Sequence, residues 1–225
     1  KRDPAVSDED IRTLLSEAAG AGVIHRAEKE LIGGVMRFSD RRARGLMTPR
    51  HAVETASVGE TRAEILERFM RSGHSRLPLR RDGPDDIVGV LQSRDLLATT
   101  DAEFDALALM RPAPAIRETL PALEVIDRLR TSPCHMLLVH DEHGHFEGIV
   151  TPMDVLGTIA GGFDDPRSDE PEVVERGDRS LLVAGGMPID AFMDRLALAI
   201  PRPTNADTAA GLVMERLAEV PRVGQ

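Results

Sequence analysis

The centre of this chain is written twice. Leu46-Met47-Thr48-Pro49 returns 63 positions later as Leu109-Met110-Arg111-Pro112, and Leu77-Pro78-Leu79 returns after 60 as Leu137-Leu138-Val139. GVLQSRD (89–95) returns after 59 as GIVTPMD (148–154). Three matches in one order, with an offset that shrinks as loops shorten, describe two copies of a single supersecondary unit. Each copy reads β-α-β-β-α. A short extended segment follows Met-x-Pro, and an amphipathic helix follows it, marked by Ile65, Leu66, Phe69 and Met70 or by Leu123, Ile126 and Leu129. Two apolar strands then flank a polar turn, and a closing helix begins near Asp95 or Asp154. A unit of about sixty residues buries too little surface to be robust alone, so the copies are expected to pack together through their sheets.

The flanks are simpler. Ser7 and Asp10 form a capping pair ahead of Ile11, Leu14, Leu15 and Ala18 at helical spacing, and Gly20-Ala21-Gly22 ends that helix. A second helix is expected over 26–38, with Gly33-Gly34 at its middle. Past Gly161-Gly162, residues 163–171 hold four acidic residues and two prolines and read as a linker. Residues 180–183 suit a strand, and 189–200 and 208–217 suit amphipathic helices around a Pro-rich turn. One strand makes no sheet, so this last domain reads as incomplete. The fold class is α+β, a pseudo-twofold pair of repeats with a helical linker before it and a small α+β domain after it. The boundaries are 1–43 (linker), 44–103 and 104–162 (repeats), 163–179 (acidic linker) and 180–225 (last domain).

Charge and composition narrow the partners. A net charge of −10 argues against a nucleic-acid backbone as ligand, and the absence of Trp and Tyr removes most stacking platforms. Cys134 is the single cysteine, so no internal disulfide forms. No apolar run approaches the roughly 18 residues that span a bilayer. The chain starts at Lys1 rather than Met, which suggests a piece of a longer protein whose membrane segments would lie elsewhere.

The doubled unit resembles the CBS (cystathionine-beta-synthase-type) pair, or Bateman module. DRRARGLMTPR (40–50), GHSRLPL (73–79) and GIVTPMD together resemble the CorC/CNNM family of magnesium and cobalt transport proteins, historically called hemolysin-like. AAGAGVIHRAEKELIGGVMRFSD (18–40) is similar to the linker ahead of the pair in that family, and TAAGLVMERLAEVP (208–221) to part of its transporter-associated domain. The resemblance implies a cytosolic regulatory region beside a membrane transport domain of the same or a partner protein. It also implies a homodimer formed through the CBS pair, and adenine nucleotide as ligand, most often ATP with the Mg2+ it carries. Family members usually continue from the TxxD motif into a strongly acidic helix. This chain reads VLGTIAGGFDDP (155–166) there, so the resemblance does not extend to a cation site on that helix.

In resembling modules, the TxxD of one repeat faces the SRxP segment of the other. That pairs Thr151 and Asp154 with Ser75, Arg76 and Pro78, with Ile149 and Val53 walling the adenine. Asp154 would accept from the ribose hydroxyls, as acidic residues do in dinucleotide folds. Arg76 would meet phosphate with its planar fork. Each has a plainer reading: Thr151 and Asp154 as helix caps, Arg76 in a surface ion pair, Ile149 and Val53 as core. The mirror cleft would use Asp95, His135 and Met136 beside Cys134. Gln92 replaces the hydroxyl there and no arginine matches Arg76, so one effective nucleotide site per chain is expected.

CHMLLVHDEHGHF (134–146) suggests metal by composition, but alternating strand residues point to opposite faces and His140 to His145 spans a turn, so no metal site is expected. Cys134 lacks the base and orienting group of a nucleophile. With no Walker loop or GxSxG, the expected role is regulatory rather than enzymatic. The alternatives are a CBS-pair dimerisation or interaction module without a functional ligand site, and a flavin-linked protein working through the last domain.

Overall fold

The computed structural model describes residues 6–160, 173–178, 180–187, 189–196, 206 and 208–222. The chain divides into two compact units, 1–161 and 162–225.

The first unit opens with helix α1 (Asp8–Gly20), where Ser7 and Asp10 cap each other: Ser7 N–H donates to Asp10 Oδ2 at 2.8 Å and Asp10 N–H to Ser7 Oγ at 3.2 Å. Helix α2 (Arg26–Ser39) follows. The first repeat runs β1 (Thr48–Pro49), β2 (Ala56–Ser57), α3 (Arg62–Ser72), β3 (Arg76–Arg80), β4 (Ile87–Gln92) and α4 (Ser93–Leu97). A short helix α5 (Ala106–Leu109) leads to the second repeat: β5 (Ala115–Arg117), α6 (Ala122–Thr131), β6 (Leu137–His140), β7 (Phe146–Val150) and α7 (Pro152–Ala160). The second repeat shows the expected β-α-β-β-α order, the first shows it with the short strand β1 added in front, and the fold is α+β.

The sheets show how the copies join. One has the order β2-β3-β4, the other β1-β7-β6-β5. Strand β1 belongs by sequence to the first repeat but pairs antiparallel with β7 of the second, placing Thr48 opposite Ile149. Reciprocally, Arg111 at the head of the second repeat bridges to Val90 of β4. Each repeat thus sends its lead-in segment to the other, as a two-residue strand in one direction and a single bridge in the other. Between them Val90, Cys134 and Met136 are buried, with Ile149 and Ala113 packed against them.

Each repeat also has its own core. Ile65, Phe69, Leu77, Leu79, Leu91 and Leu96 fill the first. The second uses Val125, Leu129, Leu137, Val139 and Val150, and adds Phe38 from α2. So α2 is more than a lead-in: it packs on α7, and Gly34 sits so close that a Cβ there would lie 1.8 Å from the Ile159 carbonyl oxygen. Two expected core positions turn outward. Met70 is 76% exposed and Leu123 is 56% exposed, while Ala122 and Val125 take the buried stripe of α6.

In the second unit, β9 (Leu181–Val183) is not alone. It pairs antiparallel with β8 (Val173–Glu175), from the stretch expected to be linker, with Val173 opposite Val183. A single Val173-Val174 pair between charged residues carries too weak a pattern to predict a strand. Helices α8 (Ile189–Arg195) and α9 (Ala209–Leu217) follow, and Ile189, Ala206 and Leu212 form a small core with Phe192 and Met193. Thr208 caps α9 by accepting Gly211 N–H at 3.1 Å. The expected acidic linker over 163–171 and the Pro-rich turn near 201–203 lie outside the described residues.

Candidate functional site

The heptad GIVTPMD ends β7 and starts α7. The Asp154 carboxylate folds back on that junction, where Oδ2 accepts Thr151 N–H at 2.7 Å and Thr151 Oγ1–H at 2.6 Å. Its Oδ1 accepts the Thr48 hydroxyl at 3.0 Å, from the strand lent by the other repeat. A carboxylate offers about four lone-pair sites, so three donors leave one acceptor direction on Oδ1. The capping reading is therefore present in the geometry, and capacity for a further donor remains. No described cation pairs with Asp154. The free amides of the first turn of α7 add a positive end beside it.

Arg76 starts β3 opposite Gln92. One guanidinium nitrogen donates to Ser75 Oγ at 3.3 Å, the Nε is buried without a partner, and no described carboxylate pairs with it. The ion-pair reading of Arg76 thus finds no counterpart among the described residues. Pro78, two residues on, is the strand partner of Val90, and Val90 belongs to the buried cluster on which Ile149 packs. The segment 76–78 and the heptad 148–154 therefore flank the same interface between the repeats, although Arg76 and Asp154 do not contact each other. Ile149 is half-buried against that interface, and Val53 is half-buried just after the turn that packs on β7.

The mirror cleft is built differently. Asp95 is gripped by Arg111, whose Nε donates to Oδ2 at 2.9 Å and Nη2 to Oδ1 at 3.1 Å. Hydrogen bonding from Arg111 is the main force holding the Asp95 carboxyl below its ordinary range. Of the residues expected around Asp95, Met136 is buried between the repeats. His135 lines a groove of about 440 Å3 with Ile126, Leu129, Arg130, Pro152 and Val155. Neither forms a hydrogen bond or ion pair with Asp95. His135 lies just after the Pro133-Cys134 turn, in the left-handed region at φ 48°. Cys134 is fully buried, its thiol 3.7 Å from the Pro112 carbonyl oxygen.

Thr48 and Arg111 are the two residues that sequence reasoning did not assign to the clefts. The signal was in the repeat itself: they occupy the same place in LMTP and LMRP, so a hydroxyl in one copy is a cation in the other.

In the histidine-rich stretch, the Asp141 carboxylate collects the turn. It accepts His143 and His145 N–H at 2.9 and 2.8 Å and faces His145 Nδ1 at 2.9 Å. Partial desolvation raises its pKa, but the His145 ring and the two amides outweigh this and bring it to about 2. The Asp141 hydrogen bond in turn raises the pKa of His145. Among the described residues no three His, Cys, Asp or Glu side chains are grouped to hold a metal. No described helix is long and apolar enough to cross a membrane.

Comparison with known proteins follows the same architecture. The CBS domain profile matches residues 43–100 and 105–161, and the transporter associated domain profile matches 174–225. The inner membrane protein YoaE of Escherichia coli K12 (UPF0053) is 34% identical over 206 residues, covering 90% of this chain and 39% of YoaE. The chain spans about half or less of the length of the curated relatives it matches. The solved CBS domain of the bacterial CNNM/CorC family Mg2+ transporter is 29% identical, with a TM-score of 0.65, covering 71% of this chain and 99% of that one. The structure of such a domain in complex with ATP is 30% identical, with a TM-score of 0.56, covering 60% of this chain and 97% of that one. With both profiles in sequence order and the CBS pair reproduced in three dimensions, this chain belongs to the CorC/CNNM (hemolysin-like) family, as its tandem CBS region followed by the transporter-associated domain.

Proposed function

We propose that this region is a non-enzymatic sensor of adenine nucleotide, ATP with its Mg2+ in particular, regulating a CorC-like magnesium or cobalt transport protein from the cytoplasmic side of the membrane. The observation that carries it is a pair of charges flanking one interface that are unmatched among the described residues: Asp154, without a cation, and Arg76, without a carboxylate. A nucleotide supplies both complements, a ribose diol to donate to Asp154 and phosphates for Arg76 and Ser75. Thr151 and the amides at the start of α7 assist with anionic oxygens. Ile149, Val53 and Pro78 offer apolar walls for the base. The ATP complex of a related CBS domain supports the choice of nucleotide. Binding regulates only if one arrangement of repeats or subunits holds nucleotide more tightly than another, and a homodimer joined through the CBS pair would pass that difference to the membrane domain.

Isothermal titration with ATP, ADP and AMP, each with and without Mg2+, tests the reading. A hydrogen bond to a charged group contributes about 1.5–3 kcal/mol, so Asp154→Ala is expected to weaken binding about 10- to 100-fold. If no nucleotide binds or raises the melting temperature, the sensor reading fails. The second reading, an interaction module, would then stand, with Asp154 reduced to the cap that its contacts with Thr151 already show.

A further inference from the structure

The repeats are fastened at two joints of the same design. At one, Thr48 lies antiparallel to Ile149. At the other, Arg111 lies antiparallel to Val90, exchanging both backbone hydrogen bonds at 2.9 Å. Both crossings run over the glycine that opens a heptad. A Cβ on Gly148 would lie 2.2 Å from the Thr48 carbonyl oxygen, and one on Gly89 would lie 2.9 Å from that of Arg111. At both, the crossing side chain reaches the carboxylate that closes the heptad, Asp154 or Asp95.

The chemistry of the two joints differs. Thr48 donates one hydrogen bond to Asp154 and cancels no charge. Arg111 engages both oxygens of Asp95 with a planar fork and neutralises it, and Arg94 Nε stands 3.6 Å from Asp95 Oδ1. A ribose diol exchanges one neutral donor for another at Asp154. At Asp95 it would have to displace a bidentate, charge-assisted pair with neutral donors, which is unfavourable.

We propose that Arg111 is a built-in occupant of the second cleft, so that the module carries one fixed clasp and one clasp that a ligand can take over from Thr48. The exchangeable half rests on the nucleotide reading; the fixed half does not.

Exchanging the two residues tests it in the full chain. Thr48→Arg should carry the fixed clasp into the first cleft, lowering ATP affinity at least about 10-fold while melting at or above the wild-type temperature. Arg111→Thr should melt lower yet bind ATP within about two-fold of wild type, and should be non-additive in melting temperature with Asp95→Asn. Thr48→Val, which only removes the competing donor, should tighten ATP binding about two- to five-fold. Additive effects of Arg111→Thr and Asp95→Asn would overturn the fixed clasp. A loss of about 10-fold or more with Thr48→Val would overturn the exchange, because Thr48 would then be a ligand contact. ATP binding by wild type that saturates at two equivalent sites would overturn the occupied second cleft. If wild type binds no nucleotide, the sensor reading fails alone, and the melting-temperature cycle still decides the fixed clasp.

Discussion

Gly148 looks from the sequence like ordinary punctuation before a strand end, yet its lack of a side chain is what lets β1 lie across β7. A methyl group there would meet backbone, which moves less readily than a side chain. Gly148→Ala is therefore expected to destabilise the chain by about 1–3 kcal/mol, measured by urea unfolding. Gly157, on α7 with open space around its Cβ position, is the control: Gly157→Ala should be neutral or stabilising by up to about 1 kcal/mol. Thr151 and Asp154 were readable as a pair because a hydroxyl and a carboxylate three apart at a helix start follow local rules. The partners of Asp154 and Asp95 were not, because each depends on how a strand from the other repeat crosses. The Thr48–Asp154 hydrogen bond spans 106 positions.

Among the elements, helices were readable from capping and spacing, but their buried faces less so. In α6 the pattern pointed to Leu123, and tertiary packing buried Ala122 and Val125, one and two positions away, together with Leu129. The glycine pair in α2 weakens the helical pattern but permits the packing of α2 on α7, since Gly34 admits the Ile159 carbonyl. The β6–β7 turn carries a pH dependence of its own. The lowered pKa of Asp141 means its contribution is complete above about 3.8 and lost as pH falls through about 2. The raised pKa of His145 means its contribution is complete below 6.5 and lost as pH rises through the folded value. Hydrogen exchange at the His143 and His145 amides, corrected for intrinsic rates, should be slowest between about pH 4 and 6.5 and quicken above that range. Protection that stays constant up to about pH 9 would show that the imidazole plays no part in holding the turn.

For the molecule as a whole, the helices ahead of the repeats are not equivalent. Helix α1 has no buried residue, whereas α2 puts Phe38 into the core of the second repeat. Deleting residues 1–20 should change the thermal midpoint by no more than a few degrees. Deleting 1–39 removes Phe38, whose truncation alone costs about 3–5 kcal/mol, and should leave the second repeat unfolded or molten by near-UV circular dichroism. The sequence alone determined the duplication, the β-α-β-β-α order, the family and the two carboxylates at the helix starts. Each of these is recorded in neighbouring residues or in self-similarity, and needs no knowledge of distant contacts. Only the tertiary structure decided that the lead-in segments cross to the other repeat, that α2 completes the second core, and that Asp95 is held by Arg111 while Asp154 meets a hydroxyl. Those outcomes belong to contacts between segments far apart in the chain, where packing and charge select the partner and local pattern carries no record of the choice.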